Sequence, residues 1–428
     1  MTTDLHARTV PLEYGPDALE FDGSPTVLFD RPGLTLVGWG TALLVEASDA
    51  ATVLAAIPCD DTVRCPGSGV LALGALPFLG TMAGLLIVPR FTMGVARDPD
   101  GTAYRWATAV GPNEVALPEP EELFDAVIWQ YGSAGDGAGA RDVDVTELTT
   151  SLPTDDYENV VARAVATMSA RGAALHKVVL ARSVNARLSG TLPLSRVLRR
   201  LRSHEPHCTI FSVPVPKGTF FGASPELLVA RQGERISCHP LAGTIARGET
   251  ARSDADAQGR LAASAKDHEE HRYVVEDIAA TLAPYCSALT VPAEPSLVAF
   301  HSVAHLGTRI EGLLHEPTPV LALVRELHPT PAVGGTPRAA ALAAIAEGEP
   351  VPRGHWAGPV GWVDAEGNGE WMIGLRSACL HADGESVTLH AGSGVVAASD
   401  PRDEAAETNM KLATVLESLV PGGSAHLG

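Results

Sequence analysis

The six cysteines (Cys59, Cys65, Cys208, Cys238, Cys286, Cys379) are scattered and form no Cys-x-x-Cys pair, so neither a disulfide framework nor a zinc ribbon is indicated. The opening MTTDLHARTVPLEYG lacks the basic-then-apolar layout of a secretory signal. Long apolar runs are missing too. The most apolar stretch, residues 70–89, is broken by Gly74, Pro77, Gly80 and Gly84 and makes no membrane span. No glycine-rich phosphate loop, dinucleotide fingerprint, Gly-x-Ser-x-Gly elbow or zinc spacing occurs anywhere. Positive charge is scarce: 31 Lys and Arg against 51 Asp and Glu give a net charge of −20, which argues against nucleic acid or an anionic membrane as partner. A cytoplasmic protein is expected. An anionic substrate would meet an opposing global field, so local cations or a metal would have to capture it.

What is present suffices for a large core. The 428 residues are 45% hydrophobic, with mean hydropathy +0.10. Residues 1 to about 150 read as short strands with Gly/Pro turns, at 34–39, 41–45, 70–73 and 85–88, without a catalytic pattern. Gly132 to Ala140 (GSAGDGAGA) is a flexible loop and the best candidate boundary.

The stretch Ala391 to Lys411, AGSGVVAASDPRDEAAETNMK, draws most attention. A strand over 386–390 leads into a turn at Gly392-Ser393-Gly394, then a helix capped by Ser399 or Asp400. Glu404, Glu407 and Lys411 recur at i, i+3 and i+7 and share one face. Two carboxylates and a lysine opposite a bare backbone turn can hold an anion through a divalent cation; a solvated face with an ion pair is the bland alternative. A second helix, SAKDHEEHRYVVEDIAATL from Ser264 to Leu282, repeats the acidic spacing with Asp267 and Glu270. Its His268 and His271 stand at i, i+3 rather than i, i+4, which rules out a zincin site.

Between these, Asp155 and Glu158 are spaced like a capping box at the start of a helix with Tyr157, Val160, Val161, Ala164, Val165 and Met168 as its apolar stripe. A strand over 176–184 places Lys177 on the face of Val179 and Ala181, where it either snorkels to the edge, the commoner outcome, or is buried. Glu226 opens a strand behind Pro225, and partial burial would keep it protonated as a general acid requires. His239 to Thr244 is a tight turn whose backbone can approach a ligand. A hairpin over 360–364 and 370–380 puts Arg376 on the face of Gly374 and Met372, beside room for a ligand.

Assembled, these stretches resemble the chorismate-utilising enzymes. The matching pieces are KVVLAR at Lys177, FGASPELL around Glu226, HPLAGT to Thr244, SAKDHEEH at Glu270 and VAHLGT at His305. They continue with HPTPAVGGTP at His328, GPVGWVDAEGNGEW to Trp371, IGLR at Arg376 and AGSGVV…EAAETNMK to Lys411. The resemblance spans residues 155 to 420 and implies an α+β fold of antiparallel sheets packed face to face, with helices outside. Residues 1–150 would be a divergent N-terminal part of that fold, and 151–428 the chorismate-binding region. It further implies that Glu270 and Glu407 hold Mg²⁺, with Asp267 and Glu404 close by, and that Arg376 and Lys411 bind the carboxylates of chorismate with backbone at Gly243, Thr244, Gly392 and Gly394. His305, Ala332 and Trp356 would complete the substrate site.

Within the family, Lys177 and the Ala332 loop resemble isochorismate synthases. Lys177 would activate water for attack at C2, and Glu226 would protonate the departing C4 hydroxyl. Salicylate synthase, which goes on to eliminate pyruvate, is the alternative, and an aminating anthranilate or aminodeoxychorismate synthase component a more distant one. Trp356 replaces a common Tyr or Phe, Gly335 stands near a common Ser-Gly, and residues 245–248 lack an arginine frequent in aminating members. A monomer with no glutaminase subunit, feeding siderophore or menaquinone synthesis, is the expectation.

Overall fold

A computed structural model describes residues 4–13, 25–98, 100–112, 122, 143–248, 250–301 and 303–427. The boundary expected at 132–140 lies outside these residues. The described strands form a thirteen-stranded sheet, a nine-stranded sheet and a small three-stranded one. The two large sheets pack face to face: Val27, Phe29, Leu36, Phe211 and Phe220 of the first share one core with Leu71, Leu73, Val360, Trp362 and Met372 of the second. Burying these large apolar faces against each other is the main force holding the layers together.

Strands from the first 112 residues belong to both sheets. Val27–Arg31 pairs with Thr209–Val215, and Leu71–Ala75 pairs with Pro359–Asp364. Helices cover the outer faces. Thr154–Ser169 lays Tyr157, Val160, Val161, Ala164 and Met168 inward as its periodicity requires. Its Tyr157 hydroxyl donates to Leu180 O at 2.9 Å and bonds Ser393 Oγ at 2.8 Å, tying helix to sheet. The expected capping box is absent there: Pro153 is the N-cap, with no side-chain cap. Two helices without a clear sequence signal also appear, Ala251–Ala263 and Val320–Leu327. No helix among the described residues is long and apolar enough to cross a membrane.

One feature of the topology creates the site. The chain leaves the first sheet after Gly218–Ser224 and enters the second at Leu227–Gln232. It makes the reverse crossing between Gly369–Ile373 and Ser377–His381. The two crossings are neighbours, since Gly222 pairs with Ser377 and Leu227 with Met372. The expected single strand over 370–380 is therefore two strands in different sheets. Side chains at the crossings point into the seam where ladder pairing stops.

Candidate active site

Glu226 sits on the first crossing. Its N–H donates to Ser224 Oγ at 3.3 Å, and its carbonyl accepts from Ile373 N at 3.0 Å. The side chain is buried, and burial pushes its carboxyl up to about 8, against the opposing pull of Lys177, the Leu241 backbone N–H and Lys411. A carboxyl at about 8 is protonated at neutral pH.

Arg376 sits on the second crossing with φ +45°, a left-handed conformation uncommon for a side-chain-bearing residue and frequent at functional sites. It does not share a strand face with Gly374 and Met372; the break in the strand turns it into the seam. Its guanidinium stacks over Phe300 at 4.6 Å, donates to His305 Nε2 at 3.1 Å and lies 3.3 Å from Glu205 Oε1. Because His305 Nε2 accepts, the network leaves the ring hydrogen on Nδ1, 3.1 Å from both Gly243 O and Thr244 Oγ1. Burial, then Arg376 and Lys411, hold His305 well below the usual imidazole range, so it is neutral.

Gly243 is not in a tight turn. It is a bulge in the strand Leu241–Ala246, at φ +74°, and a Cβ there would come within 2.9 Å of Asp267 Cβ. Gly392 and Gly394 likewise lie inside one long strand, Ser386–Val396, rather than in a turn after residue 390. A Cβ on Gly394 would overlap Glu270 Oε1, so this glycine makes room for the carboxylate instead of bending the chain.

The two acidic helices converge on that strand. Ala265–Leu282 is capped by Ser264, and Pro401–Leu419 by Asp400. Lys266 Nζ bridges the helices to Glu404 Oε1 at 2.5 Å. Burial followed by Glu407 pushes the Glu404 carboxyl up, and burial followed by Glu270 and Glu407 pushes Asp267 up. The four carboxylates thus repel one another across the gap. Each glutamate is matched to a lysine: Glu270 to Lys177 at 3.1 Å, Glu404 to Lys266, and Glu407 to Lys411 at 2.6 Å. Three of the chain's four lysines are spent on this cluster. Among the described residues, no three acidic, histidine or cysteine side chains are gathered closely enough to hold a metal as they stand.

Lys177 does not snorkel. It is fully buried, and although its Nζ is 3.1 Å from Glu270 Oε1, no partner is aligned for a hydrogen bond. Its strand is held by a buried clamp. Arg353 donates to Val179 O at 2.8 Å and Val333 O at 2.6 Å, stacks 5.2 Å over Trp356, and pairs with Glu349, which accepts from Ala181 N at 2.8 Å. Trp356 in turn stacks on His390 at 5.6 Å.

These elements enclose a cavity of about 120 Å³. On its wall stand Glu226, Gly243, Thr244, Glu270, His305, Ala332, Trp356, Arg376, Gly392, Gly394, Glu407 and Lys411. Lys177, Asp267 and Glu404 are not on the wall; Lys177 stands behind Glu270. Glu205, Phe300, His390 and Met410 also shape the site, and no sequence pattern singled them out. A larger cleft of about 1220 Å³, bordered by Arg31, Arg231 and Asp364, contains none of the expected residues. The smaller cavity is the better candidate because perturbed acids, paired cations and bare backbone meet there.

A family model described as chorismate binding enzyme matches residues 126–420. The chain is 36% identical over 357 residues to isochorismate synthase DhbC of Bacillus subtilis, an alignment covering 82% of this chain and 80% of that protein. It is 38% identical over 306 residues to isochorismate synthase EntC of Escherichia coli, covering 71% and 77%. The structure of MenF, the menaquinone-specific isochorismate synthase from Escherichia coli, superposes with a TM-score of 0.81 at 24% identity, over 97% of this chain and 94% of that one. At that identity the likeness is one of fold.

Proposed function

The chain belongs to the chorismate-binding enzyme family, and from that premise we propose that it is an isochorismate synthase, adding water at C2 of chorismate with loss of the C4 hydroxyl. The observation that carries this reading is Glu226, a buried acid held protonated up to about pH 8 on the same cavity wall as Arg376 and Lys411. Water addition with loss of a poor leaving group needs such an acid at neutral pH.

In this reading Arg376 and Lys411 bind the substrate carboxylates, assisted by backbone at Gly243, Thr244, Gly392 and Gly394. Ala332, Trp356 and His305 close around the ring. Glu226 gives its proton to the departing hydroxyl oxygen. Lys177, acting as the free amine, takes a proton from the attacking water, and because it lies behind Glu270, it can reach that water only when the Glu270 carboxylate is engaged elsewhere.

The donor set fits a hard dication. Glu270 and Glu407 would hold Mg²⁺, with Asp267 and Glu404 beside them; all the donors are oxygens, and their mutual repulsion is what a dication relieves. When bound, the ion supplies charge withdrawal from the ring carboxylate and fixes its orientation. Residues 1–150 are read as the divergent part of the same fold and 151–428 as the chorismate-binding region. The enzyme would act in the cytoplasm as a monomer without a glutaminase subunit, its product serving siderophore or menaquinone synthesis.

The test is proton NMR of chorismate with the purified protein and Mg²⁺, without ammonia. A mixture of chorismate and isochorismate approaching a fixed ratio is expected. Salicylate with stoichiometric pyruvate would move the enzyme to the lyase branch, and turnover only with ammonia would overturn the water-addition reading.

A further inference from the structure

Arg376 is not a free cation waiting for an anion. Glu205, only 6% exposed, places Oε1 3.3 Å from the guanidinium, while its Oε2 accepts from His301 N at 3.4 Å. Cys208 Sγ lies 3.8 Å from the same Oε2 and 3.9 Å from Arg376 Nη1. Glu205 is itself fixed, because it ends the helix Leu194–His204 and its N–H donates to Leu201 O at 2.8 Å. Among the described residues the other neighbours of the guanidinium, the Phe300 ring, the neutral His305 and the Cys208 thiol, carry no charge. Glu205 is thus the anion in contact with Arg376, and it is absent from the cavity wall, so a ligand meets Arg376 without displacing it.

We propose that Glu205 is a positioning residue that holds Arg376 aimed into the cavity and cancels part of its charge, setting how tightly the site grips a carboxylate. The carboxylate fixes a side chain that leaves the backbone in a left-handed conformation. A guanidinium already paired with one carboxylate also attracts a second less strongly than a bare one. A substrate and a product that carry the same carboxylates are then both released readily, which suits a reversible interconversion. The inference deepens the chorismate reading and rests on it for the identity of the ligand.

Two variants separate aim from charge. Glu205→Gln keeps the shape and one acceptor oxygen but removes the charge; Glu205→Asp keeps the charge. The expected result is a KM for chorismate roughly tenfold lower in E205Q, with kcat lowered by slower product release, while E205D, which keeps the charge but sets the carboxylate back by one methylene, shows no tightening and a lower kcat from the loosened aim. Calorimetric titration with benzoate, a plain carboxylate, should show the same ordering independently of turnover. Melting curves identify any variant that has not folded, and E205D gripping as tightly as E205Q is expected to would by itself overturn the charge argument. Unchanged or weaker binding of both ligands by folded E205Q would overturn the proposal. Failure of wild type to turn over chorismate would instead overturn the functional reading, leaving the benzoate comparison to judge Glu205.

Discussion

Glu226→Gln tests whether burial holds the acid protonated. The carboxyl rises from an ordinary 4.5 to about 8. At about 1.4 kcal/mol per pH unit, folding favours the protonated form over the carboxylate by roughly 5 kcal/mol relative to the unfolded chain. Because the folded value lies above the unfolded one, the stabilisation is complete below pH 4.5 and is lost as pH rises through about 8. Above that, the native state carries a carboxylate in apolar surroundings. Glutamine has nearly the same shape and does not titrate. Melting curves of both proteins, taken from about pH 5 to about pH 9, should therefore diverge, the variant gaining on wild type by up to about 5 kcal/mol. Turnover should fall roughly 10²- to 10⁴-fold in the variant below about pH 8, the gap narrowing above it. Wild-type turnover should decline above about pH 8 as the acid is lost. Parallel melting curves would refute the claim that desolvation governs this group. A wild-type rate still level above that pH would remove Glu226 from the role of acid.

Lys177→Ala should bind chorismate but lose turnover by roughly 10²-fold or more, measured by single-turnover NMR; unchanged turnover would sink the base role. Gly394→Ala places a methyl group on Glu270 Oε1, so Glu270 must turn away. We expect the Mg²⁺ concentration giving half-maximal activity to rise by roughly tenfold or more, with melting temperature changed little, and an unaltered Mg²⁺ titration would show that Glu270 is not a ligand.

Local pattern made much of this legible. The strands at 34–39 and 85–88 fall where alternation and turn residues put them. The two acidic helices carry their caps and their i, i+3 carboxylates in plain view. The failures share a cause, which is that a distant element decides. The run IGLRSACL reads as one strand, and only the need to join two sheets breaks it at Arg376. Gly392 and Gly394 look like a turn because glycine usually bends the chain, yet here they clear space for Trp356 and Glu270 within a straight strand. Lys177 is buried because Glu270 arrives from a helix some ninety positions away, which no window around Lys177 could reveal. Glu205 ends an unremarkable helix before a proline. Val320–Leu327 does carry apolar residues at helical spacing, Val320, Leu323, Val324 and Leu327, but its eight residues are too short a window for that period to stand out.

The family match begins at residue 126, yet strands before residue 113 complete both large sheets. Trimming the gene to the recognisable segment would strip partners from Thr209–Val215 and Pro359–Asp364, leaving two long rows of unpaired amides and carbonyls beside an opened apolar core. Such a fragment would present ready templates for intermolecular zippering, and inclusion bodies rather than a minimal enzyme would be its fate. This part of the chain also supplies specific side chains, Val27, Phe29, Leu36, Leu71 and Leu73, to the core between the sheets. For engineers exchanging parts between relatives, the natural cut is therefore not the edge of sequence similarity but the whole sandwich, exchanged as one cassette.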